Sequence, residues 1–176
     1  MPGPLFTAGE TVELRPIEEE DVPFLQETMN DPQVREGLGA SEPINETAEQ
    51  EWFESISEDD DVHLLICTDG DPVGTIGLHL KHDAWGNAEV GYSIVPSAWG
   101  NGYATDALRE LCRWAFEERR LHKIYARAYE TNPASNRVLE KVGFEREGTF
   151  RDEAYVQGAF VDIHRYGLLA DEFERR

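Results

Sequence analysis

A chain of 176 residues, 40% of them hydrophobic, is long enough to bury one core without metal or disulfide staples and too apolar to be disordered. Its 36 Asp and Glu against 16 Lys and Arg leave a net charge of −20, which repels polyanions and excludes a nucleic-acid binder. No apolar run approaches the roughly 18 residues of a membrane span, and the opening MPGPLFTAGE carries no basic-then-apolar leader, so a soluble cytoplasmic protein without a membrane partner is expected.

Acid is abundant while lysine is scarce, with only Lys81, Lys123 and Lys141 present. That combination resembles proteins of salt-loading halophiles. An acidic surface that merely steers cationic substrates is the weaker explanation if salt is high, because at about 1 M the screening length is near 3 Å. Cys67 and Cys112 form no C-x-x-C pair, and both read as small core residues rather than as a disulfide, zinc ligands or a nucleophile.

In chain order, Thr11 to Arg15 alternates as a strand, and Glu18 to Met29 follows as a helix with an acidic first turn. Asp31 to Pro43, rich in proline and glycine, reads as a long loop bordering a site. Thr47-x-x-Gln50 forms a capping box for a helix through Trp52, Phe53 and Ile56. Val62 to Thr68 and Val73 to Lys81 are strands joined at Asp69-Gly70-Asp71-Pro72, an antiparallel hairpin. After a loop from His82 to Gly86, Ala88 to Val95 is a strand with Glu89, Gly91 and Ser93 on one face, and Gly91 marks a bulge or a close approach.

The strongest helix runs from Thr105 to about Arg119, where Ala104, Ala107, Leu108, Leu111, Cys112, Ala115 and Phe116 repeat at three and four. Lys123 to Tyr129 is a strand, and Ser135 to Val142 a helix capped by Ser135 and stopped by Gly143. Two further strands lie around Phe144 to Phe150 and Val161 to Leu169. Hairpin-linked strands followed by strand-helix-strand-helix-strand imply an α+β fold with both antiparallel and parallel pairs.

Between the strand ending at Pro96 and the strongest helix lies Trp99-Gly100-Asn101-Gly102-Tyr103-Ala104. Glycines let a ligand approach the backbone, and the free N–H groups at a helix N-terminus attract phosphate. A Walker loop is excluded by the lack of Lys, and a dinucleotide fingerprint by Thr105 at the third small position.

Ile94 to Ala104 resembles motif A of the GNAT (Gcn5-related) N-acetyltransferases, Q/R-x-x-G-x-G/A, with Gly102 and Ala104 in the last two fixed positions and Trp99 departing at the first. Thr131-Asn132-Pro133-Ala134-Ser135-Asn136, continuing through a helix to Gly143-Phe144, resembles the second motif. With Arg15-Pro16, Gly74 to Gly77, Glu89-Val90-Gly91-Tyr92 and Gly158-x-x-x-Asp162, the likeness spans most of the chain and points to the RimJ/RimL-like branch, which acetylates protein N-termini.

The resemblance implies a single domain over residues 1–176, with its core at about 11–170, and a largely antiparallel sheet splayed near Val95 and flanked by helices. It implies acetyl-coenzyme A (acetyl-CoA) as co-substrate. Its pantetheine would pair with Ile94 and Val95, and its pyrophosphate would lie on the N–H groups of Gly100, Asn101, Gly102, Tyr103 and Ala104. Trp99 would pack on it, Asn132 would hold the pantetheine amides, and Ser135 would donate to the departing sulfur. Leu139 stands where several branches carry a Tyr acid; Tyr92, Tyr129 and Tyr155 are alternatives.

The reaction needs a neutral amine. At pH 7 a lysine costs about 4.6 kcal/mol to deprotonate, whereas an α-amine with pKa near 7.7 to 8.0 needs only a weak base. Glu89, acting through water, is the candidate base. The expected acceptor is a ribosomal or other protein N-terminus, with small amines, polyamines and aminoglycosides as competitors, and a non-catalytic acyl-CoA sensor as the alternative. A homodimer is compatible with this reading. His79-x-x-His82-Asp83 puts its two rings on opposite faces of a strand, so no metal is assigned. Gly91-x-Ser93-x-Val95 lacks the last glycine of a nucleophile elbow, so no hydrolase is expected.

Overall fold

The computed structural model describes residues 2–58 and 60–174, with the side chains of residues 81–83 and 174 left out. Among these described residues, eight strands form one sheet in the order β1-β2-β3-β4-β5-β6-β8-β7. These are β1 (Thr7–Ala8), β2 (Glu13–Pro16), β3 (Val62–Thr68), β4 (Asp71–His82), β5 (Asn87–Ile94), β6 (Lys123–Tyr129), β7 (Glu145–Val156) and β8 (Ala159–Leu169). Every neighbouring pair is antiparallel except β5 and β6. Six helices accompany the sheet in the described residues: α1 (Val22–Asn30), α2 (Pro32–Leu38), α3 (Glu46–Ser55), α4 (Tyr103–Glu117), α5 (Pro133–Val142) and α6 (Ala170–Glu174).

Alternation along the strands divides the core. Leu64, Ile66, Ile76, Leu78, Val90 and Ile124 face α4, whose stripe of Ala107, Leu108, Leu111, Cys112 and Ala115 is wholly buried against them. Leu65 and Cys67 face the other way and pack with Ile17, Leu25, Phe24, Phe53 and Ile56 beneath α1 and α3. Both cysteines are buried and free, as expected of small core residues.

The expected hairpin forms because Asp69 (φ 52°) and Gly70 (φ 86°) both take the left-handed region that a tight two-residue turn requires. The second strand begins at Asp71 rather than Val73. Pro72, which has no N–H to give, is accommodated where the β3–β4 register shifts between Ile66 and Cys67.

Three local expectations are corrected. The segment from Asp31 to Pro43 is not all loop: Asp31 accepts from the N–H groups of Gln33 and Val34 and caps α2, which Gly39 (φ 64°) ends. Asn45, not Thr47, caps α3, its side chain accepting from Ala48 N at 2.8 Å. Asn132, not Ser135, caps α5, accepting from Ser135 N at 3.0 Å, because Pro133 suits the first helical position and moves the start upstream.

The parallel pairing of β5 with β6 is brief. It joins Asn87 to Lys123, Ala88 to Ile124 and Glu89 to Tyr125, and ends there. The sheet therefore opens directly after Glu89, earlier than the expected point near Val95. Gly91 carries no bulge; it stays in register with Gly77 of β4, and a Cβ on it would meet nothing within 4 Å.

Candidate active site

The opened strands floor a cleft of about 1000 Å³ lined by α2, β5, the start of α4, β6 and α5. Val95 N–H donates to Val73 O at 2.9 Å on the β4 side. Strand alternation then turns the backbone groups of Val90, Tyr92 and Ile94 towards the missing neighbour. Val95 itself is spent, since its carbonyl also accepts from Ala98 N at 2.9 Å, and it does not line the cleft. The Ile94 carbonyl accepts the Trp99 indole N–H at 2.7 Å, leaving the Ile94 N–H for a ligand. Motif reading chose Ile94 and Val95; the edge instead runs back to Tyr92 and Val90, which only the hydrogen-bond register reveals.

At the mouth of this edge, Gly100 (φ 80°) and Gly102 (φ 82°) turn the chain into α4. No side chain caps this helix, so the first-turn N–H groups of Tyr103, Ala104 and Thr105 lack intrahelical partners. A Cβ at either glycine would meet nothing within 4 Å, so the cradle is open to a pyrophosphate. Trp99, held by its indole, remains 49% exposed at the rim. Asn101 lies outside the lining and braces the turn, its amide donating to Ala98 O at 3.0 Å.

Behind the cradle, Asp106 fastens the first turn of α4 to the turn between β1 and β2. It accepts from Glu10 N (3.0 Å), Thr11 N (2.6 Å), Thr11 Oγ1 (2.9 Å) and Val12 N (3.1 Å). Burial disfavours its charge, but these hydrogen bonds together outweigh burial and hold its carboxyl below the usual carboxylate range.

On the opposite side, Glu89 projects into the cleft with its side chain 14% exposed and accepts from Arg127 Nε at 2.6 Å. Ser135, relieved of capping, places Oγ 3.0 Å from the Tyr92 hydroxyl, which also lies 3.3 Å from the Ser135 carbonyl as a donor. Burial pushes the Tyr92 phenol up to about 12, with the Ser135 hydrogen bond opposing it, so the phenol stays protonated at neutral pH. Leu139 is fully buried and offers no acid. Tyr129 donates to Leu38 O at 3.2 Å, and Tyr155 packs edge-on against Phe160 on the β7–β8 hairpin, outside the cleft lining. Of the three alternative tyrosines, Tyr92 alone meets Ser135.

The helix α2 roofs this side. A Cβ on Gly37 would stand 3.1 Å from Asn132 Nδ2, and one on Gly39 would collide with the Tyr129 hydroxyl. Asn136, passed over by motif reading, ties α5 to β6 by donating to Tyr129 O at 2.9 Å while accepting from the Tyr166 hydroxyl at 2.8 Å. The side chains of His82 and Asp83 lie outside the described ones; His79 instead places Nδ1 2.8 Å from Asp61.

A family profile for the acetyltransferase (GNAT) domain matches residues 11–145. YdaF of Bacillus subtilis, whose assignment as a ribosomal N-acetyltransferase is itself provisional, is 31% identical over 97% of this chain and 98% of its own length. Mycobacterium smegmatis RimJ, solved with CoA-disulfide, superposes with a TM-score of 0.81 at 26% identity, over 92% of this chain and 83% of that one. A Vibrio cholerae spermidine N-acetyltransferase, solved with CoA and spermine, shares the fold with a TM-score of 0.87 at 22% identity, over 93% of this chain and 98% of that one.

Proposed function

The chain belongs to the GNAT family of acetyltransferases and is an acetyl-CoA-dependent N-acetyltransferase, and from that premise we propose that its acceptor is a protein N-terminal α-amine, as in the RimJ/RimL-like branch. The observation that carries this reading is the ion pair of Glu89 with Arg127. Two carboxylates, Glu36 and Glu89, occur among the described residues lining the cleft, and Arg127 already neutralises one. A polyamine carries several cations and calls for several unpaired carboxylates, while a lysine calls for a strong base. A single α-amine, half neutral near pH 8, needs neither.

Acetyl-CoA supplies the activated thioester. Its phosphates fit the N–H groups from Gly100 to Ala104, and its pantetheine fits the free edge at Val90, Tyr92 and Ile94. Glu89 takes the proton of the attacking amine through water. The Ser135 hydroxyl donates to the sulfur as the C–S bond breaks, and the Tyr92 phenol holds that hydroxyl in place. The products are the acetylated amine and free thiol. Glu89 returns the amine's proton to solvent, the departing thiolate, held by the Ser135 hydrogen bond, takes one from solvent, and Ser135 keeps its own. The Asn132 carbonyl oxygen is committed to its cap, which leaves its amide N–H groups for the pantetheine. One catalytic domain, with its core over about residues 11–170, accounts for all of these roles.

The test compares kcat/KM for a peptide N-terminus, an internal-lysine peptide of matched sequence, and spermidine. The α-amine should win over lysine by about a hundredfold near pH 7, from the roughly 3 kcal/mol difference in deprotonation. Preference for lysine or spermidine overturns the acceptor and leaves the family standing. The net charge of −20 and the three lysines further support a salt-rich cytoplasm as the working medium. Melting temperature should then climb with potassium chloride into the molar range, and a flat response would refute this.

A further inference from the structure

On the sheet face that carries Glu89, but outside the transfer chemistry, Asp61, His63 and His79 bring one carboxylate oxygen and two ring nitrogens within 4.8 Å of one another. We propose that these three side chains form a binding site for a divalent transition ion of the Zn2+ type.

Backbone placement makes the cluster. Asp61 and His63 are two residues apart along an extended segment and so share a face. His63 pairs with Gly77 across β3 and β4, which makes His79, two residues further on, its diagonal neighbour on that face. Gly77 lets the two strands approach here, because a Cβ on it would lie 2.7 Å from the Val62 carbonyl oxygen. The two imidazole centroids are 5.5 Å apart, and the Trp52 ring packs edge-on against His63 at 5.3 Å. Asp61 sets one oxygen 2.8 Å from His79 Nδ1 while its other accepts Leu80 N–H at 2.7 Å. That second bond orients the carboxylate as an outer partner orients a metal ligand.

The donor chemistry selects the ion. Two imidazoles with one carboxylate suit Zn2+, Ni2+ or Cu2+, whereas Mg2+ and Ca2+ favour all-oxygen shells. All three residues are partly exposed, so an ion can enter from solvent and keep water in a fourth position. Tetrahedral Zn2+ with bonds of about 2.1 Å spaces its ligands roughly 3.4 Å apart. Binding therefore draws the widest pair together by about an ångström, within reach of side-chain rotation. Sequence spacing sets His79 and His82 on opposite faces and assigned no metal; register across two strands brings His79 to His63 instead.

The experiment uses the full chain without a histidine tag, stripped with EDTA and titrated with ZnCl2 by calorimetry in potassium chloride. One ion per chain should bind and resist displacement by millimolar MgCl2. His63→Ala and Asp61→Asn should each raise the Kd by at least about tenfold, the lower end of what losing even an outer partner costs. His63→Gln, which keeps the ring's bulk more nearly, serves if the alanine variant fails to melt cooperatively. Cu2+ should quench Trp52 fluorescence in the parent, by difference against Trp52→Phe, and lose that quench in the His63 variant. Equal Zn2+ affinity in parent and variants would assign the ion to the acidic surface at large and overturn the site, as would no stoichiometric binding in the parent.

Discussion

The side of the cleft assigned to the cofactor draws mainly on one stretch of chain, Ile94 to Ala104 with the strand before it, and works chiefly through backbone N–H groups, with Asn132 reaching in from the cap of α5. The acceptor side draws Glu36, Glu89 and Arg127 from α2, β5 and β6, and works through side chains, with Glu89 and Arg127 held by their ion pair. A cradle built from backbone would tolerate side-chain drift as long as glycine geometry survives, and on the proposed reading Trp99 then needs no polar side chain. Side-chain constellations respond to every substitution and so carry acceptor choice. The contrast teaches that cofactor and reaction class follow from a local feature, and the substrate from a distributed one.

Breaking the backbone side should have the largest effect. Gly102→Val places a branched side chain at φ 82° in the cradle, where the strain is about 1–3 kcal/mol, yet no protein atom stands within 4 Å of its Cβ. The fold should survive while the acetyl-CoA Kd rises by more than about a hundredfold, from the loss of two charge-assisted hydrogen bonds. Calorimetry on a variant that still melts cooperatively decides it.

Breaking the side-chain side should leave the cofactor alone. Glu89→Gln should lower kcat/KM by about thirtyfold, below the usual general-base contribution because the Arg127 ion pair already weakens this base, with acetyl-CoA affinity within about twofold. The defect should shrink as pH rises past about 8, where the acceptor α-amine deprotonates unaided. A defect that is constant from about pH 6.5 to 9.5 would remove Glu89 from proton transfer.

Tyr92 belongs to both sides, since its backbone lies on the cofactor edge and its phenol reaches Ser135. Tyr92→Phe should cut kcat about fivefold, the worth of one hydrogen bond of about 1 kcal/mol, with KM for the amine unchanged. Adding Ser135→Ala should cost little more than Ser135→Ala alone, because the phenol acts only through that hydroxyl; additive losses in the double variant would separate the two residues.

The smallest kinetic effect belongs to Asp106, which supports the cradle from behind. Asp106→Asn should destabilise the protein by about 1–3 kcal/mol at neutral pH while leaving kcat nearly unchanged. Its carboxyl is held below its unfolded value of about 3.9, so its contribution is present above that pH and is lost as pH falls through the lower folded value. Denaturation curves of parent and variant should therefore differ most near pH 7 and converge in strong acid.

Most strands, the stripe of α4, the two core cysteines and the glycine cradle could be read directly, because each depends on residues within a few positions of one another. The cap of α5 is ambiguous in the sequence for a local reason, because Asn132 and Ser135 both suit the role, and the fixed φ of Pro133 gives it to Asn132. Helix α2 was hidden in a stretch rich in proline and glycine, and its seat against Asn132 and Tyr129 depends on chain about a hundred residues downstream.

The sequence by itself determined the α+β class and the glycine-rich turn ahead of α4, which are short-range properties of φ, periodicity and helix ends. The acetyltransferase reading came from the resemblance of the motifs around that turn to the GNAT family. Only the tertiary structure decided that the sheet parts after Glu89, that Glu89 meets Arg127, that Tyr92 rather than Tyr129 or Tyr155 reaches Ser135, and that His63 meets His79. Each of those contacts joins different elements through strand register or helix placement. A shift of one residue in strand pairing would turn a side chain to the opposite face, and register is set by the packing of the whole sheet rather than by any neighbour in sequence.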